Sequence, residues 1–208
     1  MVAPIERRLF AKCDRVVVTG AWEESWCRQW GVASAFESID LGKYFRLPTE
    51  GECQNCPKDR PLHLLYLGRP HPLKGLDVLN AAIHQFSNLQ SNNPKSNNQT
   101  IDFRSIGTAF GSAKDDMWAW CDVLVLPTLS ENFGLVVAEA LERGKRVITT
   151  DGAPAWRPET NGKWIMENDE GIVSGYGGRL LYLTGYREGT DDCRVQLLTR
   201  ALGLVSKS

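Results

Sequence analysis

The chain has 208 residues, a net charge of −1 at pH 7 and a hydrophobic content of 42%. This composition provides a packed core for one large domain or one and a half small ones, and it excludes a largely disordered chain. The near-neutral charge, without a basic stripe, argues against nucleic acid as a partner. No apolar run approaches the roughly 20 residues of a membrane span, and the amino-terminal residues lack the apolar segment of a secretory signal. The six cysteines are mostly scattered, which favours a reducing cytoplasm over a disulfide framework.

The predicted elements alternate between strands and helices. In chain order they are a helix-like segment at 6–12, a strand at 14–19, a helix at 22–30, a strand at 36–41 closed by Gly42, a turn-rich linker at 46–61, a strand at 62–67, a helix at 76–86, a polar loop at 87–99, a strand at 101–106 and a helix at 112–120. A strand at 123–126, a helix at 135–141 and a strand at 145–150 then form one βαβ unit. Beyond a turn at 151–154 the pattern weakens, with strands expected at 163–166 and 180–183 and a helix at 192–204. The alternation predicts an α/β fold, a Rossmann-like parallel sheet with helices on both faces.

Three predicted loops, 68–75, 106–111 and 128–134, follow strands of this sheet. In open α/β sheets the ligand crevice lies beyond the carboxyl ends of the strands. The first loop carries Arg69 and Lys74, while the third carries Glu131 and precedes a helix that contains Glu139. Cations and a helix amino terminus favour a diphosphate, and a carboxylate favours a ribose diol. The combination indicates a nucleoside-diphosphate ligand.

Each of these residues also has a purely structural interpretation. Glu131 alone is typical of a charge at a helix amino terminus, Glu139 of a solvent-facing helical acid, and Arg69 and Lys74 of surface cations. Their occurrence together, in this order, favours a shared site.

Two further patterns have structural interpretations. Cys53 and Cys56 have the spacing of a zinc half-site, but no second pair of ligands follows, so loop cysteines are expected. The tryptophans at positions 22, 26 and 30 share one helix face, which predicts a helix core or an inter-domain face.

Two strings resemble the retaining nucleotide-sugar glycosyltransferases of family 4, also called group 1. They are GRPHPLKGLDVL at 68–79 and SENFGLVVAEA at 130–140, which contains the two acids eight positions apart, Glu131 and Glu139. Lesser agreements are the strand at 14–19, the segment at 39–42, Gly107 and the strand that ends at 150. The resemblance covers about residues 8–155 and implies half of a GT-B fold, in which two Rossmann-like domains face a cleft.

The resemblance also implies roles for the matching residues. Arg69 and Lys74 would bind the donor diphosphate and offset the charge on the leaving group, and Glu131 would lie near the anomeric carbon of the sugar. Glu139 would hold the ribose hydroxyls. The remaining substrate-binding candidates are Asn132, Phe133, Gly134, Leu135, Gly68 and Gly107. No cofactor and no metal are expected, because protein cations and a helix dipole replace a divalent ion.

By the same resemblance, residues 1–35 correspond to the last strand and helix of an amino-terminal domain, and residues 36–208 form the nucleotide-sugar-binding domain. The expected function is the donor-binding half of a retaining transferase that uses a nucleoside-diphosphate sugar such as a UDP-sugar. Its acceptor would be a glycan or a lipid-linked molecule in polysaccharide biosynthesis. A separate amino-terminal acceptor domain or an oligomer partner is expected, and membrane contact only through that half.

Two classes of alternative remain. One is a non-catalytic nucleotide-sugar-binding module or one subunit of a split transferase. The other is a different nucleotide-using protein, such as an epimerase relative or a phosphorylase fragment. The chain has no G-x-G-x-x-G string after its first strand, which a dinucleotide enzyme should show. No function is predicted for residues 155–208, including the glycine- and tyrosine-containing segment at 175–190.

Overall fold

A computed structural model describes residues 8–10, 12–39, 44–47, 56, 58–92, 99–157 and 171–207. The chain divides into two compact units, Met1–Arg46 and Leu47–Ser208. Gly42, Cys53, the strand predicted at 163–166 and parts of the segments predicted at 6–12 and 36–41 lie outside the described residues. The predicted domain boundary at residue 35 stays a prediction.

Among its described residues, the first unit contains two parallel strands, one complete helix and a short helical segment at residues 8–10. The strands and the complete helix are β1 (Arg15–Val18), α1 (Ala21–Gln29) and β2 (Ala35–Ser38). Residues of β1 alternate between exposed and buried, as expected for a strand with one covered face, and Val16 and Val18 pack in a small core with Cys27 and Val32. The strand predicted at 36–41 corresponds to β2, which begins one residue earlier, at Ala35. It ends at Ser38, since Ile39 is described and is no longer part of the strand.

Six strands and four helices lie in the described part of the second unit. In chain order they are β3 (Leu62–Leu67), α2 (Leu76–Ser91), β4 (Ile101–Ile106), α3 (Gly111–Trp120), β5 (Val123–Leu126), α4 (Leu135–Glu142), β6 (Arg146–Thr150), β7 (Ile172–Gly175), β8 (Leu180–Leu183) and α5 (Asp191–Lys207). Short 3-10 turns occur at Pro72–Lys74 and Pro154–Trp156.

The strands of this unit form one sheet in the order β4-β3-β5-β6-β8-β7, and every neighbouring pair is parallel except β7 with β8. All four residues of β5 are buried, because helices cover both faces of the sheet. Val123 and Val125 pack in the core shared with α2 and α5. Leu126 points to the opposite face, where it lies beside Gly134 at the start of α4. The predicted α/β class, a mainly parallel sheet flanked by helices, is confirmed.

Helix α2 continues five residues beyond the predicted end at Phe86, so the polar loop predicted from Ser87 begins later than expected. The polar composition of this segment predicts a loop, but two of its serines form hydrogen bonds that are compatible with a helix. The Ser87 hydroxyl donates to Ile83 O at 2.9 Å, and the Ser91 hydroxyl donates to Ser87 O at 3.0 Å. No glycine or proline interrupts residues 87–92, so the helix propagates once it has formed.

Strand β7 was not predicted. It pairs antiparallel with β8 through a turn at 176–179, in which the Gly178 N–H donates to Gly175 O at 3.1 Å. Tyr176, Gly177 and Gly178 all have positive φ, which the two glycines adopt at no steric cost. The sequence does carry a signal for this hairpin, because apolar runs at 172–173 and 180–183 flank the turn residues Tyr-Gly-Gly at 176–178.

Candidate functional site

A pocket of about 380 Å³ lies at the carboxyl end of the sheet in the second unit. Its lining residues come from the ends of β3 and β5, from the loops that follow these strands, and from the first turn of α4. They are Leu67, Gly68, Arg69, Lys74, Leu126, Glu131, Asn132, Phe133, Gly134, Leu135 and Val136. Eight of the ten residues predicted from the sequence are in this set, and Glu139 and Gly107 are not.

Backbone hydrogen bonds join the loops that form the pocket. The Leu129 N–H donates to Leu73 O at 2.7 Å, which ties the loop after β5 to the loop after β3. On the other side, the Glu131 N–H donates to Gly152 O at 2.8 Å, which ties the same loop to the turn after β6. Parallel strands end at one edge of the sheet, so loops that are far apart in sequence become neighbours there.

Lys74 and Glu131 form an ion pair inside the pocket. Lys74 Nζ lies 2.6 Å from Glu131 Oε2 and donates a second hydrogen bond to Ser130 O at 3.1 Å. The other carboxylate oxygen of Glu131 accepts from the Asn132 N–H at 3.1 Å. The side chains of Lys74 and Glu131 are only 23% and 22% exposed. Because water screens the pair only in part, the charge-assisted hydrogen bond holds both side chains in place.

Arg69 presents a second cation at the same pocket. Its side chain is exposed, and among the described residues its guanidinium has no hydrogen bond or ion pair. The main chain at Arg69 is held in place by a hydrogen bond from Tyr66 Oη to Arg69 O at 3.2 Å. Burial, together with the negative charge of Glu131, raises the pKa of the Tyr66 hydroxyl, so Tyr66 remains a neutral donor. The pocket therefore holds one paired cation and one cation available for a ligand.

Helix α4 begins at the pocket without a side-chain cap. Gly134 precedes the helix with a φ of 71°, and a Cβ there would lie 3.3 Å from both Glu131 Cγ and Trp156 Nε1. Trp156 also donates a hydrogen bond from Nε1 to Phe133 O. The first N–H groups of a helix have no intrahelical acceptor, so this end of α4 favours an anion.

Glu139 does not line the pocket but pairs with Lys114 of α3. Lys114 Nζ lies 2.8 Å from Oε1 and 2.6 Å from Oε2 of the Glu139 carboxylate. Gly107 lies beside the basic loop, since a Cβ at this position would be 3.8 Å from Pro70 Cδ. The roles predicted for Glu139 and Gly107 stay predictions.

Several residues that support the site were not found from the sequence. Tyr66 and Trp156 belong to no motif, and each reaches the pocket only through the tertiary structure. Gly152 carried a weak signal, because a glycine in a turn often marks a close backbone approach. A Cβ at Gly152 would lie 2.1 Å from Thr128 O, so only glycine fits.

Neither a metal cluster nor a membrane-spanning helix occurs among the residues that the structure describes. No group of three or more His, Cys, Asp or Glu side chains there is arranged to hold a metal ion. No described helix is long and apolar enough to cross a membrane.

The region that contains the pocket matches a known protein family. The profile of the family Glycosyl transferases group 1 matches residues 61–175, more than half of the 208-residue chain. The chain belongs to this family. The match begins just before β3 and ends with β7, so it includes every residue that lines the pocket.

Solved glycosyltransferase structures share the fold. The pneumococcal O-GlcNAc transferase GtfA in complex with UDP and GlcNAc superposes with a TM-score of 0.56 at 16% identity, over 98% of this chain and 40% of that one. Sucrose-phosphate synthase from Thermosynechococcus elongatus gives a TM-score of 0.57 at 20% identity, over 97% of this chain and 52% of that one. A GtfA/B complex gives a TM-score of 0.54 at 14% identity, over 99% of this chain and 41% of that one. A comparison with curated proteins finds no match.

The chain thus spans between 40% and 52% of the length of these glycosyltransferases. At such low identity the likeness concerns the fold alone. The neighbours are GT-B glycosyltransferases, and the Rossmann-like class predicted for this chain agrees with them.

Proposed function

We propose that the second unit binds the nucleoside-diphosphate sugar donor of a retaining GT-B glycosyltransferase, and that the sugar is transferred to a glycan or a lipid-linked acceptor. One observation carries this proposal. The guanidinium of Arg69, which has no partner in the described part of the chain, borders a pocket of about 380 Å³ together with the Lys74–Glu131 pair and the amino terminus of α4. Membership of the glycosyl transferase family supports it.

The donor diphosphate would lie between Arg69, Lys74 and the first turn of α4. A lysine ammonium has three donors, and Lys74 directs two of them to Glu131 Oε2 and Ser130 O. The third donor is therefore available for a phosphate oxygen without loss of the existing pair. Arg69 can offer its full planar set of donors, which suits bidentate contact with phosphate.

During transfer, negative charge accumulates on the leaving diphosphate. Arg69, Lys74 and the helix end would stabilise this charge from fixed positions, which is more effective than reorganising solvent. The bond between the anomeric carbon and the phosphate oxygen would break as the acceptor oxygen bonds to the same face of the sugar. The acceptor proton would pass to a diphosphate oxygen. Glu131, held by Lys74, would orient the sugar near its anomeric carbon.

The finer parts of the proposal concern the nucleotide and the setting. Glu139 would hold the ribose, and Asn132 and the backbone of residues 133–135, 68 and 107 would contact phosphate or sugar. UDP is the first nucleotide to test, because a neighbour's structure contains UDP. We propose that no metal takes part, since cations of the protein border the pocket. A cytoplasmic location is also part of the proposal, because four described cysteines, at positions 13, 27, 121 and 193, are free thiols.

An acceptor domain or a partner subunit completes the proposed enzyme. The proposal is supported by the GtfA/B neighbour, which is a complex. A nucleotide-sugar-binding module without catalysis is the alternative, and it would bind the donor but show no transfer when the acceptor domain is supplied.

A thermal-shift panel tests the proposal directly. The ligands are the uridine, guanosine and adenosine diphosphates, their glucose conjugates, and the three nucleosides as controls. A ligand at 100 times its dissociation constant stabilises the folded state by about 2.7 kcal/mol, so at least one diphosphate should raise the melting temperature and its nucleoside should not. If no nucleoside diphosphate shifts the transition at millimolar concentration, the proposed function is wrong.

A further inference from the structure

We propose that Lys114 is a positioning residue that makes the site selective for nucleotides with an intact ribose diol, and that it acts by holding the Glu139 carboxylate. The inference rests on the proposed function, because it assigns a further residue to the nucleotide site. Lys114 lies in α3, outside both motifs, and no sequence pattern marks it.

The contact between the two side chains is close and sheltered. Lys114 Nζ donates a hydrogen bond to Oε1 of Glu139 at 2.8 Å and lies 2.6 Å from Oε2, which is buried and has no hydrogen-bond partner among the described residues. The side chains are 28% and 22% exposed. An ion pair that is mostly shielded from water restricts both side chains more than a surface pair does.

The pair lies one helical turn from the pocket. Glu139 follows the pocket-lining residues Leu135 and Val136 by four and three positions in α4. Residues at these spacings share one face of a helix. Lys114 approaches this face from the first turn of α3, directly after the loop that contains Gly107. A nucleotide with its phosphates at the start of α4 would therefore extend its ribose toward the pair.

The chemistry of the pair suits a diol. An ionised carboxylate has about four acceptor sites, and Lys114 donates a hydrogen bond to Oε1 alone. Oε2 is buried and has no hydrogen-bond partner among the described residues, and a diol would use this unfilled acceptor capacity. Because Lys114 already fixes the carboxylate, ligand binding does not have to order that side chain.

Loss of Lys114 would leave the carboxylate free to turn away. A nearby cation is available to it, since Arg143 in the next turn already donates a hydrogen bond from Nη1 to Glu139 O at 3.1 Å. The diol would then lose its preorganised acceptor, although the phosphates would keep Arg69 and Lys74. We therefore expect a selective loss of discrimination between ribose and its dideoxy form.

The test compares the uridine, guanosine and adenosine diphosphates with their 2′,3′-dideoxy forms by calorimetry. The proteins are the wild type, Lys114→Met, Lys114→Gln, Lys114→Arg, Glu139→Gln and, as a matched control, Arg143→Met. Arg143→Met also removes one positive charge beside Glu139, but from its main-chain oxygen. For the nucleotide that binds best, the wild type should prefer the ribose form about tenfold or more, as expected for hydrogen bonds to a charged acceptor.

In Lys114→Met and Lys114→Gln the preference should fall to about twofold, as in Glu139→Gln, while Lys114→Arg and Arg143→Met should keep most of it. The double variant Lys114→Met with Glu139→Gln should lose no more discrimination than either single variant. A purely structural role for Lys114 would weaken both ligand forms equally and leave their ratio unchanged.

The outcomes separate the inference from the proposed function. If the wild type binds none of the diphosphates, the proposed function fails. If the wild type binds a diphosphate without preferring the ribose form, or if both Lys114→Met and Lys114→Gln retain the wild-type preference, the inference is overturned and the function stands. Tighter binding of the ribose form by these two variants would also overturn it, because Lys114 would then compete with the diol.

Discussion

The two ends of the second unit's sheet use charge in opposite ways. At the carboxyl end, Lys74 and Glu131 pair across a pocket while the guanidinium of Arg69, among the described residues, has no ion pair. At the amino end, Arg60 donates from Nη1 and Nη2 to the two carboxylate oxygens of Asp122, both at 2.8 Å. The charges of Arg60 and Asp122 are paired within the protein, whereas the exposed guanidinium of Arg69 has no partner among the described residues.

The amino end is further closed by packing and hydrogen bonds. The His63 N–H donates to Asp122 Oδ2 at 3.0 Å, and the His63 ring stacks on Trp120 at 4.4 Å between centroids. Arg104 lies over the Trp120 ring at 4.0 Å. Although burial of Asp122 raises its pKa, the hydrogen bonds from Arg60 and His63 and the charge of Arg60 outweigh burial, so the net shift is downward.

We expect this difference to separate stability from binding within one sheet. Variants that remove charged side chains from the pocket should change ligand affinity with little effect on folding, whereas variants that break the Arg60–Asp122 pair should change folding with little effect on affinity. The following predictions test this separation, in order of decreasing effect.

The largest effect is expected for Arg69→Ala combined with Lys74→Ala. Loss of two charge-assisted contacts should weaken binding of a nucleoside diphosphate by about 3 kcal/mol or more, roughly a hundredfold, and binding of the nucleoside only slightly. Calorimetry with both ligands measures the difference, and the melting temperature of the unliganded variant provides the folding control. Equal weakening of both ligands would remove the two cations from the diphosphate site.

Gly75→Ala should affect stability strongly at the edge of the pocket. Gly75 has a φ of 65°, and a Cβ there would lie 2.2 Å from Pro127 O, so the two loops would have to separate. Strain and steric conflict together should cost about 3 kcal/mol in urea unfolding. Gly144→Ala is the matched control, since Gly144 has a φ of 69° and nothing within 4 Å of the added Cβ, so about 1 kcal/mol is expected. If both variants lose the same amount, the contact between the loops does not constrain position 75.

Asp122→Ala should lower the free energy of unfolding by about 2 kcal/mol, because Arg60 and the His63 N–H both lose their acceptor. Its affinity for the nucleotide that binds best should stay within about twofold of the wild type. Urea unfolding and calorimetry on the same preparation measure both quantities. A large loss of affinity without a loss of stability would contradict the division between the two ends.

The smallest effect is a pH dependence of the same contact. The pKa of Asp122 in the folded protein lies below its usual value of 3.8, so ionised Asp122 stabilises the fold at pH values above 3.8. That contribution is lost as the pH falls through the lowered pKa, with about 1.4 kcal/mol for each unit of difference between folded and unfolded states. The stability gap between the wild type and Asp122→Asn should therefore be constant from about pH 7 to pH 5 and should narrow below about pH 4. A gap that does not narrow would show that Asp122 ionises alike in the folded and unfolded protein.

Much of the fold could be predicted because buried parallel strands carry local signals. β5 is a run of four apolar residues between Asp122 and Pro127, and its predicted bounds agree with the structure. The end of α2 and the presence of β7 could not be predicted in the same way. Helix continuation through Ser91 depends on internal hydroxyl bonds, and β7 depends on pairing with β8 rather than on its own four residues.

The candidate site was predictable in part for a related reason. Residues in loops after parallel strands gather at one sheet edge, so Arg69, Lys74 and Glu131 could be assigned to one site before their distances were known. The sequence did not reveal which cation would pair with which acid. It also left Lys114 unmarked, since a single lysine in a helix has no local signature.

The amino-acid sequence by itself determined the α/β class, most of the elements, and the loops that would carry the ligand. These properties depend on hydrophobic periodicity and turn residues, which act over a few neighbouring positions. Only the tertiary structure decided that Lys74 meets Glu131, that Lys114 meets Glu139 and that Arg69 stays free of a partner in the described part of the chain. The reason is physical, because electrostatic pairing depends on distance through space, and these distances follow from the order of strands and the packing of helices rather than from separation along the chain.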